Sequence, residues 1–190
     1  MKKEQIEDQR FDALDYTVDG LPVADYEGCT FANCTFFSTD LSDVNFTDCV
    51  FEHCDLSMAK LKDTVFRDVK FTNCKLLGLR FDDCNSFNLS FSFDNCVLNF
   101  ASFFRLNLKN TVFNTCKLEE VELVETDLSN AVFSHCDLTR AIFGNTRLNG
   151  ADFRTAYNFS IDPEENSLKK ARFSAQNLAG LLEKYQLVIA

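Results

Sequence analysis

The stretch YEGCTFANCTFFSTDLSDVNFTDCVFEHCDL, residues 26–56, places a large apolar side chain at every fifth residue. The same spacing continues on both sides of it. A first series of 15 residues comprises Phe11, Tyr16, Leu21, Tyr26, Phe31, Phe36, Leu41, Phe46, Phe51, Leu56, Leu61, Phe66, Phe71, Leu76 and Phe81. After a slip of two residues, a second series of 13 comprises Phe93, Leu98, Phe103, Leu108, Phe113, Leu118, Leu123, Leu128, Phe133, Leu138, Phe143, Leu148 and Phe153. Because every member is Phe, Tyr or Leu, the chain consists of a repeated five-residue unit.

We call the large apolar position i and number its neighbours from i−2 to i+2. All nine cysteines of the chain fall at i−2: Cys29, Cys34, Cys49, Cys54, Cys74, Cys84, Cys96, Cys116 and Cys136. The other residues at i−2 are mostly Ala and Thr, which are also small. Polar residues dominate the remaining three positions. This pattern indicates that i and i−2 point inward and that the other positions face solvent.

A period of five fits neither an α-helix nor a simple strand, since their periods are 3.6 and 2. It fits a chain that turns a corner every five residues. Four such sides form a square coil of about 20 residues, and successive coils stack roughly 4.8 Å apart, like neighbouring strands. The large side chain at i then fills the centre of each coil. The sequence therefore predicts an all-β solenoid stabilised by contacts between successive coils.

Several of the repeats, quoted as they stand, are CTFAN, CTFFS, ADFRT, CDLTR and TDLSN, and they resemble the A(D/N)LXX repeat of the pentapeptide-repeat family. The resemblance covers residues 11–157 and implies the fold of that family, a right-handed quadrilateral parallel β-helix. The stretch from Tyr157 to Ala190 resembles the terminal capping and dimerisation segment of the quinolone-resistance and microcin-immunity members. Those members protect bacterial DNA gyrase, and some of them mimic DNA. This chain differs from members with long projecting loops, because its register break near 82–93 adds only two residues.

We expect three segments: an N-terminal tail at 1–10, the solenoid at 11–158, and a C-terminal capping and dimerisation segment at 159–190. In the last segment, Asp162 before Pro163 is typical of a helical turn. Ser174 predicts the N-cap of a short α-helix at about 175–185. The apolar residues of this helix and of the tail behind it are Leu178, Leu181, Leu182, Tyr185, Leu187, Val188 and Ile189. We expect them to cover the last coil and to form the interface of a symmetric homodimer.

Charge is distributed unevenly along the chain, whose net charge is −10. Residues 4–55 contain thirteen Asp or Glu against Arg10 alone. Residues 60–117 contain nine Lys or Arg against five acids, and residues 118–165 contain ten acids against three bases. The overall negative charge argues against direct binding of nucleic acid or of a membrane surface. Because the start MKKEQIEDQR lacks the apolar segment of a signal peptide, we expect a cytoplasmic protein.

Stacking at a spacing of 20 residues aligns acidic residues on two corners of the coil. Asp43, Asp63 and Asp83 share one corner, and Asp48 and Asp68 share the next; these five are the candidate partner-binding residues. Two interpretations remain open. Aspartate is a common turn residue that hydrogen-bonds its own backbone. Alternatively, the column is an acidic ribbon that fits the basic, phosphate-binding surface of a nucleic-acid enzyme.

The remaining reactive residues favour packing over chemistry. Stacked thiols such as Cys34, Cys54 and Cys74 have a spacing that a disulfide accepts, but their confinement to i−2 favours core packing as small apolar residues. His53 and His135 lie at outward corner positions, which disfavours a zinc site. We expect adjacent acids such as Glu119 and Glu120 to point apart on a solvated face. We therefore predict a protein that is not an enzyme and that has no cofactor or metal.

The resemblance implies a protein-binding function. The leading hypothesis is a homodimeric acidic rod that binds DNA gyrase or topoisomerase IV as a DNA mimic and gives protection from an antibiotic or toxin. The alternative is a cytosolic structural or scaffold repeat protein with an unknown protein partner. Both hypotheses place the function on the surface of the solenoid.

Overall fold

The computed structural model describes residues 3–188, in which eleven short strands and three 3₁₀ helices follow one another. The strands are β1 (Glu4–Glu7), β2 (Arg10–Asp12), β3 (Ala24–Glu27), β4 (Thr30–Ala32), β5 (Asn45–Thr47), β6 (Val50–Glu52), β7 (Val65–Arg67), β8 (Val69–Thr72), β9 (Phe91–Asp94), β10 (Val112–Asn114) and β11 (Val132–Ser134). The 3₁₀ helices are Phe81–Asp83, Ala175–Leu181 and Glu183–Tyr185.

The strands form two parallel sheets that make two walls of a coil. One sheet has the order β1-β3-β5-β7, and the other has the order β2-β4-β6-β8-β9-β10-β11. Paired residues are 20 positions apart, as in Phe31 with Phe51, and 22 apart across the break, as in Phe71 with Phe93. Single-residue parallel bridges, such as Asp40 with Lys60, join the coils on the other two walls. The predicted fold class, a right-handed quadrilateral β-solenoid, is confirmed.

A continuous aromatic stack runs along the solenoid axis. It contains one phenylalanine from each coil: Phe11, Phe31, Phe51, Phe71, Phe93, Phe113, Phe133, Phe153 and Phe173. Successive ring centroids are 4.8–5.4 Å apart, with interplanar angles of 17° or less. The members from Phe31 to Phe153 are almost completely buried. This stack, together with the Leu and aromatic residues of the other three walls, forms the core that the five-residue period predicts.

The i−2 position is buried and also forms hydrogen bonds. All nine cysteines are buried and free. Cys54 Sγ lies 3.3 Å from the backbone oxygen of Phe31 in the preceding coil. The hydroxyl of Thr64, at the same repeat position, donates to the backbone oxygen of Leu41 at 2.8 Å. Cys and Thr therefore contact a carbonyl of the preceding coil in the same way, a role that small size alone did not predict.

The register break lies where the sequence places it, and a large side chain fills it. The chain forms the 3₁₀ helix Phe81–Asp83, exposes a loop at residues 85–88, and resumes pairing at Phe91 opposite Val69. Phe91 occupies an i−2 position, where most other residues are small and none is aromatic. Its buried ring lies 5.2 Å from the ring of Phe81 and 6.5 Å from that of Phe66. It therefore fills the space of the inward residue that the loop does not supply.

Ordered pairing extends beyond the predicted solenoid boundaries of 11 and 158. Strand β1 pairs with β3, and Ile6 packs against the core, so residues 4–10 belong to the first coil. At the other end, Asp152 pairs with Arg172, and Phe173 stacks on Phe153 at 5.3 Å. The physical reason is the same at both ends: an apolar residue continues the inward column of the adjacent coil.

The C-terminal helical cap is present, but it is 3₁₀ rather than α-helical. Ser174 precedes the helix in an extended conformation, and its side chain makes no capping hydrogen bond. The helix lies tightly against the last coil, since a Cβ on Gly180 would come within 2.3 Å of the Phe159 backbone oxygen. Ile161 N–H also donates to the Gly180 oxygen at 2.9 Å. Within residues 3–188, no helix is long and apolar enough to span a membrane.

Candidate protein-binding surfaces

Four of the five candidate aspartates stand at corners of the coil. Asp43, Asp48, Asp63 and Asp68 are exposed and have positive φ angles of 51–62°. This left-handed conformation is one that Asp and Asn tolerate better than most residues. The turn interpretation of these residues is therefore sufficient to explain why Asp occurs there. Asp83 differs, because it belongs to the 3₁₀ helix Phe81–Asp83 at the register break.

The two acidic columns are only partly free of other contacts. Arg80 Nε lies 3.5 Å from the Asp83 carboxylate. The Ser90 hydroxyl donates to Asp68 Oδ1 at 3.1 Å. Lys3 donates to the backbone oxygen of Asp43 and leaves its carboxylate exposed. Among the described residues, the carboxylates of Asp43, Asp48 and Asp63 therefore have no side-chain partner, whereas Asp68 and Asp83, near the register break, do.

Further acidic residues near the N-terminus join the columns. The β1–β3 pairing places Glu7 directly opposite Glu27, and Asp8 lies at the adjoining corner. Like charges directly opposite one another on neighbouring strands repel. Glu7 and Asp8 are absent from the candidates predicted from the sequence, because the five-residue period predicts residues 1–10 to be a tail. The spacing of 20 residues between Glu7 and Glu27 could have identified this pair from the sequence, because residues 20 apart stack in successive coils.

In the C-terminal half, by contrast, most acidic side chains are paired with bases from a neighbouring coil or the same coil. Arg105 Nε lies 2.7 Å from Glu125, and Arg140 Nη2 lies 2.6 Å from both Glu119 and Glu120. The expectation that Glu119 and Glu120 point apart is therefore wrong, because one guanidinium draws both carboxylates together. The Arg105 hydrogen bond lowers the pKa of the Glu125 carboxyl. Within the described part of the chain, the acids of residues 4–55 make four ion pairs at 3.4–4.0 Å: Asp25 with Lys3, Asp12 and Glu52 with Arg10, and Asp55 with Lys75. Unpaired negative charge is therefore concentrated in the N-terminal half.

The thiols and histidines are not arranged as a reaction centre. Burial raises the pKa of Cys49 to about 12, and burial also raises the pKa of Cys34 and Cys84. These thiols are therefore protonated at neutral pH. His53 and His135 occupy exposed corners with positive φ. In the described residues, no cluster of three or more His, Cys, Asp or Glu could hold a metal ion.

Ion pairs cross a surface groove lined by Arg105, Lys109, Glu125, Asp127 and Arg147. Lys109 and Arg147 both lie 3.4 Å from Asp127. A small molecule would have to displace these pairs to bind. This groove is therefore not a ready site for a substrate, and the exposed walls and corners are the candidate surfaces for a protein partner.

The C-terminal segment covers the last coil with polar contacts and leaves apolar residues outside. The Asn177 amide donates to the backbone oxygens of Phe153 and Ala156 at 2.9 and 3.0 Å. Lys184 Nζ lies 2.7 Å from the carboxylates of Asp162 and Glu164. Of the predicted apolar residues, Leu181 packs against the core.

The other predicted interface residues within the described range are exposed: Leu178, Leu182, Tyr185, Leu187 and Val188. The covering role predicted for this apolar face is therefore carried by Leu181 alone. Val188 is 97% exposed, and Ile189 lies outside the described residues. The assignment of these side chains to a dimer interface stays a prediction.

Comparison with known proteins agrees with the repeat and the fold. Two family models match the chain, "Pentapeptide repeat region" over residues 24–92 and "Pentapeptide repeats (8 copies)" over residues 116–154. No curated protein matches the chain in sequence.

Two solved structures of trypsin-treated variants of QnrB1, a plasmid-mediated fluoroquinolone resistance protein, are similar to the whole chain. The first has a TM-score of 0.71 at 19% identity and covers 100% of this chain and 92% of its own. The second has a TM-score of 0.64 at 17% identity and covers 100% and 99%. At these identities the similarity establishes the shared fold.

Proposed function

The chain belongs to the pentapeptide-repeat proteins, and on this basis we propose that it is a non-enzymatic protein that binds DNA gyrase or topoisomerase IV through its acidic N-terminal half. The observation that carries the proposal is the concentration of unpaired carboxylates there, on a rod of stacked coils. A topoisomerase holds DNA through a basic surface, and such a surface attracts a rod with exposed negative charge. The structural similarity to a fluoroquinolone resistance protein supports protection from a drug as the outcome.

The C-terminal segment supports a two-fold dimer in this proposal. Exposed Leu178, Leu182, Leu187 and Val188 lie together at one end of the rod, far from the acidic first coils. Burying these side chains against a second copy removes apolar surface from water. In a tail-to-tail dimer the two acidic halves form the outer ends, so each dimer presents two binding ends.

The test is a supercoiling assay with purified gyrase, a fluoroquinolone and the full chain. We expect protection of supercoiling, and we expect the chain to compete with duplex DNA for the enzyme. The triple variant Asp43→Asn, Asp63→Asn, Asp83→Asn should weaken both effects, and added salt should weaken them further.

A matched control changes the same charge elsewhere: Glu120→Gln, Glu125→Gln and Glu165→Gln in the C-terminal half. The control should protect gyrase as well as the unmodified chain does. If neither gyrase nor topoisomerase IV binds the chain at low salt, or if the two triple variants lose activity equally, the topoisomerase proposal is wrong.

A second candidate function, a scaffold for another protein, is favoured by the charge of the middle coils. Residues 60–117 carry nine Lys or Arg against five acids, which a uniform DNA mimic would not have. Under this alternative the Asp→Asn triple variant changes no topoisomerase activity. A pull-down from bacterial lysate, analysed for proteins other than topoisomerases, separates the two candidates.

A further inference from the structure

A stripe of apolar side chains lies on a corner of the solenoid that carries neither acidic column, away from the C-terminal end. We define the apolar corner stripe as Val18, Phe37, Met58, Leu77 and Phe100, with one residue from each of five successive coils. Val18 is 86% exposed, and Phe37, Met58 and Phe100 are each slightly more than half exposed. Leu77 is half-buried. Elsewhere on the walls of the first five coils, the exposed positions are mostly polar.

Two members of the stripe also have an unfavourable backbone conformation. Met58 and Phe100 have φ angles of 60° and 61°. Bulky residues are rarely left-handed, and most corner positions of this chain carry Asn, Asp, His or Gly instead. Met58 Sδ lies against the next coil, since a Cβ on Gly78 would be 2.7 Å from it. The left-handed corners themselves are held by backbone hydrogen bonds, from Met58 N–H to the Leu77 oxygen and from Phe100 N–H to the Glu119 oxygen, each at 2.9 Å. The exposed apolar side chains are the remaining cost, and they point to a partner that buries them.

The spacing of the stripe fits an α-helix laid along the solenoid axis. Stacked coils rise about 4.8 Å each, and an α-helix rises about 5.4 Å per turn. A helix with one apolar residue per turn therefore meets one stripe residue per coil. From Val18 to Phe100 there are four steps, over which the two repeats differ by only about 2–3 Å.

The charged residues beside the apolar corner stripe are acidic at one end and basic further along. Asp15, Asp19 and Asp40 are exposed near Val18 and Phe37. Lys60, Lys75 and Arg80 are exposed near Met58 and Leu77. Lys75 makes a surface ion pair with Asp55 at 3.9 Å, and exposed pairs of this kind contribute little and exchange readily. Arg80 is held by Asp82 at 2.6 Å and by Asp83 at 3.5 Å, so Lys60 and Lys75 carry the basic end.

We propose that the apolar corner stripe binds an amphipathic helix of a partner protein that has basic residues at one end and acidic residues at the other. The basic end lies over the first two coils and the acidic end over the third and fourth. Glutamate near the N-terminus and lysine near the C-terminus of a helix also suit its own dipole. The C-terminal end of the partner helix therefore lies over Asp15 and Asp40.

The test uses the full chain and a labelled synthetic helix of about 18 residues, long enough for five turns. It has one leucine per turn, glutamate in its N-terminal half and lysine in its C-terminal half. The control peptide has the same composition with glutamate and lysine alternating. By fluorescence anisotropy we expect saturable binding of the first peptide, and binding of the control at least about tenfold weaker.

Variants of the protein test whether the peptide binds at the apolar corner stripe. Met58→Asn with Phe100→Asn should weaken peptide binding by roughly tenfold or more. Its Tm should equal or exceed that of the unmodified chain, because Asn accepts the left-handed conformation. Val112→Thr with Ile142→Thr removes two exposed apolar residues on other parts of the surface and should leave binding unchanged.

Three results would overturn the proposal. The first is no saturable binding of the charge-segregated peptide at about 1 mM, the weak end of specific association. The second is equal binding of both peptides, which would mean that the charges do not direct the partner. The third is a fall in mass by light scattering in the Met58→Asn, Phe100→Asn variant, which would identify a second copy of this chain as the occupant.

Discussion

Replacing Phe51 tests both the register of the solenoid and the contribution of its aromatic core. The Phe51 ring is fully buried and stacks between Phe31 and Phe71, with centroid distances of 4.9 and 5.1 Å. It also makes edge contacts with Phe36 and Phe46 at 5.9 and 5.2 Å. Phe51→Ala removes all of these contacts and leaves a cavity, so we expect a loss of about 3–5 kcal/mol in the free energy of unfolding.

A comparison with Phe133 separates the stability that aromatic contacts contribute from the stability that burial contributes. Phe133 is equally buried but has only two aromatic neighbours, Phe113 and Phe153, at 4.9 and 4.8 Å. A Leu substitution keeps most of the apolar volume at either site. Since each aromatic pair contributes about 0.5–1.5 kcal/mol, Phe51→Leu should cost about 1–3 kcal/mol more than Phe133→Leu.

Urea unfolding followed by circular dichroism measures both costs, and hydrogen exchange of the neighbouring coils shows how far the damage extends. We expect loss of protection in the coils on either side of Phe51, because stability in a solenoid depends on neighbouring contacts. A cost below about 1 kcal/mol for Phe51→Ala would show that the assigned register is wrong. Equal costs of the two Leu variants would show that the aromatic contacts add nothing beyond burial.

Three further predictions concern the thiols, the alkaline stability and the C-terminal segment. The nine cysteines should resist thiol reagents in the folded chain and react together in denaturant; rapid labelling of several in the folded state would contradict core packing. Because burial raises the pKa of Cys49 to about 12, the folded state holds that proton more tightly than the unfolded state, and stability should fall as pH rises from the ordinary thiol range toward 12. A matched Cys49→Ala variant should lose less stability over that pH interval, and identical pH profiles would count against the explanation. Removal of residues 174–190 should give monomers or aggregates by light scattering, and an unchanged dimer would place the interface elsewhere.

The five-residue period was sufficient to predict the fold and the buried columns, because large and small inward residues leave a clear pattern. The ends were less predictable. Asn158 and Pro163 interrupt the series, yet Phe173 still stacks on Phe153, since one column can continue after its neighbours stop. The C-terminal helix was predicted as α from its apolar spacing, and close contact of Gly180 with Phe159 accompanies a 3₁₀ helix instead.

The candidate site was predictable in position but not in pairing. The spacing of 20 residues correctly placed Asp43 and Asp63 at exposed corners. It could not show that Arg80 reaches Asp83 or that Arg140 reaches Glu119, because long side chains choose among several neighbours of similar distance. The left-handed conformation of Phe100 could not be predicted either, because it follows from the geometry of the corner at i+2 and not from the residue type.

The phenylalanine stack continues across the register break with a centroid distance of 5.4 Å between Phe71 and Phe93, although two extra residues separate them. The extra residues leave the coil as an exposed loop at 85–88, and the chain then returns to the same alignment. The length of this loop can therefore change without displacing the coils on either side of it. Because the entropy of closing a loop rises only slowly with its length, this position can accept a longer segment, a tag or a whole inserted domain while the coils above and below keep their alignment.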